Sequence, residues 1–181
     1  MTDLAAPMAG DGVIGLPFDE THRAALKAAC TEDLDIWQIY SVNCGPEAFD
    51  ATIDALLARP DAATFTLSQG EELVGMSSFL RIDPKNRGLE IGFTYYRPIF
   101  RGTGVNRRIK DMMIRRAIDA GFTRIEFRVD QRNARSQTAM AKLGAHREGV
   151  RRADMITWTG HVRDTVMFSI LSNEWPPAQN R

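Results

Sequence analysis

At 181 residues, with 44% hydrophobic and 25% charged side chains, the chain has the length and balance of one folded domain, which excludes a disordered polymer, a coiled coil and a fibrous repeat. It lacks the run of ~20 apolar residues that crosses a bilayer, and its start carries Asp3 and Asp11 without a positive segment, so it reads as cytoplasmic rather than secreted. The formal charge of zero divides unevenly: residues 1–96 hold 6 Lys and Arg against 15 Asp and Glu, and residues 97–181 hold 17 against 8.

The expected organisation is one domain over 1–181, loose at 1–12 and 176–181. Phe18 to Thr31, rich in Ala and Leu, reads as a first helix. Pro46 opens a second, whose apolar stripe is Phe49, Ile53, Leu56 and Leu57, ending at Arg59-Pro60. The period then changes to two. Ala63–Leu67 and Leu73–Leu80 form a hairpin around Gln69-Gly70-Glu71, and Asp83–Gly88 turns into a strand from Leu89 to Tyr96. Val105, Ile109, Met112, Met113 and Ala117 mark the buried face of a third helix, ending near Gly121. Thr123–Val129 is the next strand, Asn133–Leu143 a shorter helix stopped by Gly144, and strands near 149–157 and 162–171 finish the chain.

The chemistry concentrates between Glu90 and Ser136. A strand (Glu90–Tyr96), a short glycine loop (Arg101-Gly102-Thr103-Gly104-Val105-Asn106) and a helix follow one another. Glycines allow a tight turn and a close ligand, and the free N–H groups of a helix start attract a diphosphate. Arg101, Arg107 and Arg108 add positive charge. The dinucleotide pattern Gly-x-Gly-x-x-Gly fails at Arg107, and the P-loop pattern is absent. The basic half of the chain fits a polyanionic cofactor and the acidic half a cationic amine, unless both are simply solvated faces. Nucleic acid is disfavoured, because the basic residues lack interleaved aromatics. Cys30 and Cys44 are too few for a disulfide framework, and His22, His146 and His161 are too scattered for a metal site.

Those motifs, with Glu90-Ile91-Gly92, Asp130–Ser136, Leu143-Gly144-Ala145 and Arg163-Asp164-Thr165, resemble the GCN5-related N-acetyltransferase superfamily, in particular its RimJ/RimL-type branch. Asn106 stands where Gly or Ala is usual in the superfamily. The likeness is strong after residue 88 and weak before 60. It implies an α/β (α+β) fold: a mixed central sheet of six or seven strands flanked by helices and splayed between the strands Glu90–Tyr96 and Arg124–Val129. It implies acetyl-CoA as cosubstrate, no metal, and an amine acceptor, either a protein N-terminus or a small molecule. Pantetheine would pair with the backbone of Thr94, Tyr95 and Tyr96, and Asn133 would bond a pantetheine amide or a water.

Acyl transfer to an amine needs a base, stabilisation of an oxyanion and a proton for the leaving thiolate. Glu90, on the strand beside the cleft, is the expected base, unless it serves a salt bridge. Asp130 and Glu126 are reserves, the latter better explained by an ion-pair ladder with Arg124 and Arg128. The tyrosine that often supplies the acid is replaced by Met140, which leaves Ser136, three residues after Asn133. Alternatively Asn133 caps its helix and Ser136 lies in its first turn. Trp37 and Tyr40 read as core packing or as a wall of the acceptor pocket. The readings that compete with an acetyltransferase are a non-catalytic CoA-binding module and a transferase of a larger acyl group such as succinyl. Monomer and homodimer both stay open.

Overall fold

The computed structural model describes residues 3–176, so the end of the tail expected to be loose lies outside the described residues. One sheet of eight strands runs through the molecule in the order β1-β2-β3-β4-β5-β6-β8-β7. Its strands are β1 (Met8–Gly10), β2 (Val13–Pro17), β3 (Ala63–Gln69), β4 (Glu72–Asp83), β5 (Gly88–Tyr96), β6 (Arg124–Asp130), β7 (His146–Ile156) and β8 (Val162–Leu171). The helices are α1 (Arg23–Cys30), α2 (Phe49–Leu57), α3 (Val105–Asp119) and α4 (Ala134–Leu143). The α/β class is as expected, while the strand count is eight rather than six or seven. The two additional strands precede the first expected helix, β1 within the segment read as loose and β2 just after it. Met8–Gly10 and Val13–Pro17 form a hairpin whose turn, Asp11 and Gly12, has φ of 47° and 75°, the conformation a tight two-residue hairpin requires.

Other boundaries move for local reasons. Phe18 is still extended, its N–H donating to the Thr64 carbonyl, so helical structure begins only after Asp19, whose side chain caps the 3-10 turn Glu20–His22. A second 3-10 turn, Asp35–Ile39, carries Trp37. Among the described residues no helix is long and apolar enough to cross a membrane.

Two features of β5 position the site. Every neighbouring pair in the sheet is antiparallel except β5 with β6, which pair in parallel over Gly88–Glu90 against Arg124–Glu126. Further along, β5 bulges: Met76 faces Tyr95 and Ser78 faces Gly92, so Phe93 and Thr94 together oppose Ser77, and Phe93 takes φ 47°. An extra residue reverses which face the following side chains occupy. Leu89 and Ile91 before the bulge, and Tyr96 after it, pack with Ile109 and Met113 of α3. Tyr95 instead points into the opposite cluster, with Leu26 of α1, Trp37 and Phe49 of α2. Burial of each such large side chain contributes about 1.5–3 kcal/mol, so both faces are anchored.

Candidate active site

A cavity of about 1170 Å³ reaches from the glycine loop to α2 and touches β5, β6, α3, α4 and β8. It is lined by Gly102, Gly104 and Asn106 at one end, by Glu90, Thr94 and Tyr96 of β5, and by Asn133, Ser136 and Met140 of α4. The sequence separates these residues by up to fifty positions. The fold brings them to one space.

At the loop end, Gly102 and Gly104 have φ of 81° and 84°, and a Cβ on either would meet no protein atom within 4 Å. The Arg107 and Arg108 amides fold back onto the Gly104 carbonyl, at 3.1 and 3.3 Å. Among the described residues nothing accepts from the amides of Val105 and Asn106. Free amides at the start of a fifteen-residue helix, with open space before them, suit an anionic group. The side chains nearby are more committed than the sequence implied. Val105 is buried in the core, and Thr103 donates its hydroxyl to the Phe100 carbonyl. Arg101 pairs with Asp33, donates from Nε to the Tyr96 carbonyl at 2.9 Å and lies over the Tyr95 ring. Arg108 reaches away to the Asp11 carbonyl and Gln69, and Arg107 to the Lys142 carbonyl.

The backbone of β5 is partly occupied as well. The Thr94 carbonyl accepts from the Tyr40 hydroxyl at 2.6 Å, and the Tyr96 carbonyl from Arg101. Tyr95 and Tyr96 pair with β4, and the Tyr95 ring stacks on Trp37 at 5.1 Å with its hydroxyl bonded to the Ala29 carbonyl. Tyr95 therefore does not line the cavity. Nor does Trp37, whose indole is buried and donates to the Cys30 carbonyl, whereas Tyr40 does.

Glu90 is buried on β5, and its carboxylate lies 3.2 Å from Arg81. Burial pushes its pKa up, against the pull of Arg128, Arg81 and Arg163. A Cβ on Gly92 would fall 2.5 Å from Glu90 Oε1, so glycine there keeps the carboxylate's place free. The reserves are engaged elsewhere. Asp130 is buried, which raises its pKa, but the bonds from Arg132 outweigh that and hold it low. Glu126 accepts from Arg124, whereas Arg128 turns to Asp154 at 2.8 Å, so the expected ladder loses one rung. On α4, Asn133 caps the helix by accepting from the Ser136 amide at 2.9 Å, while both side chains line the cavity. Met140 is buried beside them.

Several residues of the site escaped the sequence reading. Asp154, and Arg163, which was read only as part of a motif, lie on β7 and β8, come in from the far end of the chain and join Arg128 around Glu90. Lys110 of α3 is buried, its Nζ donating to Thr94 Oγ1 at 2.9 Å and lying 5.8 Å from the Phe127 ring centre. A signal for it existed: Lys110 falls four residues after Asn106 and three before Met113, on the inward stripe of α3. Among the described residues no group of His, Cys, Asp and Glu could hold a metal ion.

Comparison with known proteins places this geometry in context. The family described as acetyltransferase (GNAT) domain matches residues 16–146. An uncharacterized N-acetyltransferase of Mycobacterium tuberculosis is 30% identical over 95 residues, which is 52% of this chain and 60% of that protein. The chain thus spans about three fifths of that relative's length. Among solved structures, a GCN5-related N-acetyltransferase from Brucella melitensis superposes with a TM-score of 0.88 at 24% identity, over 97% of this chain and 83% of the other. RimJ of Mycobacterium smegmatis, solved with CoA-disulfide, gives a TM-score of 0.79 at 18% identity, over 95% and 88%. At those identities the two structures speak for the fold alone.

Proposed function

Because the chain belongs to the acetyltransferase (GNAT) family, we propose that it transfers an acetyl group from acetyl-CoA to a primary amine, with Glu90 as base. The observation that carries this reading is the single cavity joining the glycine loop to a buried carboxylate. The residues present fit coenzyme A: two glycines with open space before them, unbonded amides at the head of α3, and a gap along β5 beyond Glu90. The thioester supplies an activated acyl carbon; the remaining work falls to the chain. The amides of Val105 and Asn106 and the turn at Gly102–Gly104 hold the diphosphate. Glu90 takes a proton from the acceptor amine, directly or through a water, and burial makes it a better base than an exposed glutamate.

Transfer is direct, with no acyl-enzyme. Cys30 and Cys44 lie outside the cavity, and burial pushes both thiols up, Cys44 to about 12, so neither offers a thiolate. The RimJ/RimL-like motifs favour a protein N-terminus or a small amine as acceptor. A larger, anionic acyl group such as succinyl is the second reading. It draws on Arg163, a buried guanidinium whose Nε has no hydrogen-bond partner among the described residues.

Calorimetry with CoA and acetyl-CoA, followed by thiol release across a panel of amines and peptides, tests the proposal. Binding with turnover on at least one amine is expected, and Gly104→Asp abolishes binding by putting a carboxylate in the diphosphate space. Absence of heat with either ligand refutes the reading. Binding without turnover on any acceptor leaves only a CoA-binding module, and turnover confined to succinyl-CoA favours the second reading.

A further inference from the structure

Lys110 is 4% exposed, and among the described residues no carboxylate lies within 4 Å of its ammonium. Burying a lysine in this way is costly, and a helix position that merely needed filling would be served better by methionine or leucine. Its single polar contact is the Thr94 hydroxyl, which is held in turn by the Ser77 hydroxyl at 2.7 Å. Thr94 belongs to the bulge of β5, and Phe127, on whose ring the ammonium rests, belongs to β6. Lys110 therefore sits where the two strands have ceased to pair, on the α3 side of the gap.

That placement meets a gap in the chemistry. The collapse of a thioester adduct releases a thiolate, and Met140 offers no proton where the resemblance leads one to look for an acid. Ser136 has an alcohol, a far weaker acid than an ammonium. We propose, on the basis of the acyl-transfer reading above, that Lys110 is the group that faces the leaving sulfur and protonates it. In that step the C–S bond breaks, its electron pair stays on sulfur, and one N–H proton of the ammonium passes to it, giving the free thiol and a neutral lysine. The proton lost by the acceptor amine rests on Glu90. Solvent exchange then resets both groups.

The electrostatics run in the same direction. Burial lowers the pKa of Lys110 to about 7, with Glu90 opposing that fall, and burial raises that of Glu90. Proton movement from amine to Glu90 and from Lys110 to sulfur thus discharges two buried ions. Of the other ionisable groups lining the cavity, Arg101 is paired with Asp33, Arg128 with Asp154, and Asp130 with Arg132. Arg163 lies 4.0 Å from Asp130, and Arg107 donates to a carbonyl on α4. The phenol of Tyr96 is buried without a partner among the described residues, but burial pushes its pKa up, which makes it a poorer donor than the lysine.

The test reads the thiol of bound CoA before it reads turnover. Thiolate absorbance of the complex is titrated in the wild type, in Lys110→Met and in Lys85→Met, with desulfo-CoA as blank. In the wild type the bound thiol ionises below the ordinary value of ~8.5, and in Lys110→Met that depression disappears. Lys85→Met, which removes an exposed lysine outside the cavity, keeps the depression. Turnover falls about 100-fold in Lys110→Met, in the range that loss of a general acid produces, and the alkaline limb of its pH–rate profile vanishes. A thiol titration and pH profile unchanged in Lys110→Met overturn the assignment, as does loss of the limb in Tyr96→Phe with its retention in Lys110→Met. A wild type that binds CoA and transfers acetyl while these outcomes hold leaves the enzyme reading standing without Lys110; a wild type that binds no CoA overturns both. Should Lys110→Met fail to fold, Lys110→Gln is titrated in its place with the same expected loss.

Discussion

Two buried regions beside the strand β5 treat polar atoms in opposite ways. In the cluster of α1, α2 and Trp37, each polar tip ends on a backbone carbonyl: Trp37 Nε1 on Cys30 at 3.1 Å and the Tyr95 hydroxyl on Ala29 at 2.6 Å. In the cavity, among the described residues, Lys110 has one neutral partner, Tyr96 Oη and Arg163 Nε have none, and Glu90 keeps a raised pKa. Satisfied polar groups rigidify a core, whereas unsatisfied ones cost stability and are retained where chemistry uses them. The molecule thus concentrates stability in the packed cluster and reactivity in the cavity.

Three substitutions sharpen or break that contrast. Trp37→Ala deletes a fully packed indole and should lower the unfolding free energy by about 3–5 kcal/mol, with CoA affinity unchanged at a temperature where the variant remains folded. Urea titration and calorimetry check the two halves of that statement, and a large loss of affinity would erase the distinction between the regions. Glu90→Gln should lower turnover about 100-fold, or about 2.7 kcal/mol in barrier, and leave CoA affinity intact. Its effect on stability has a definite sign. A carboxyl whose folded pKa is raised contributes stability below its unfolded value, near 4.5, and loses it as pH rises through the folded value. Relative to wild type, Glu90→Gln should therefore gain stability as pH rises from 4.5 through the folded value, measured by denaturant unfolding at each pH. A variant that loses stability over that range would show the carboxylate to be a structural ion pair with Arg81. Tyr40→Phe should have the smallest effect, about 1 kcal/mol for one hydrogen bond to the Thr94 carbonyl, read from the thermal midpoint.

How much of this was legible in the sequence follows from how local each signal is. The run from β5 through α3, β6 and α4 was readable because its periodicity, glycine loop and Asn133 cap are short-range features. The meeting of the glycine loop with Glu90 and Ser136 followed from family resemblance, and the structure places all three on one cavity. The N-terminal hairpin was missed because strands of three and five residues, rich in Gly and Pro, carry little alternation, although Asp11-Gly12 is a hairpin turn pair. Tyr95 was expected to meet the ligand through its backbone, as the family resemblance implies, and the bulge at Phe93 sends its ring into the cluster of α1 and Trp37. Lys110 was passed over since a lysine in an amphipathic helix normally lies in solvent. Asp154 and Arg163 arrive through strand pairing between β7, β8 and β6, a long-range outcome that no local pattern encodes.

The close approach at Gly92 has an evolutionary corollary. Because a methyl group there would collide with the Glu90 carboxylate, the two positions form one heritable unit. A descendant that acquires any side chain at 92 must first surrender or reorient its acid at 90, so the pair should drift together or not at all. A lineage in which Glu90 has been replaced by a smaller residue would be released from that restriction, and position 92 is where its new freedom would first be written.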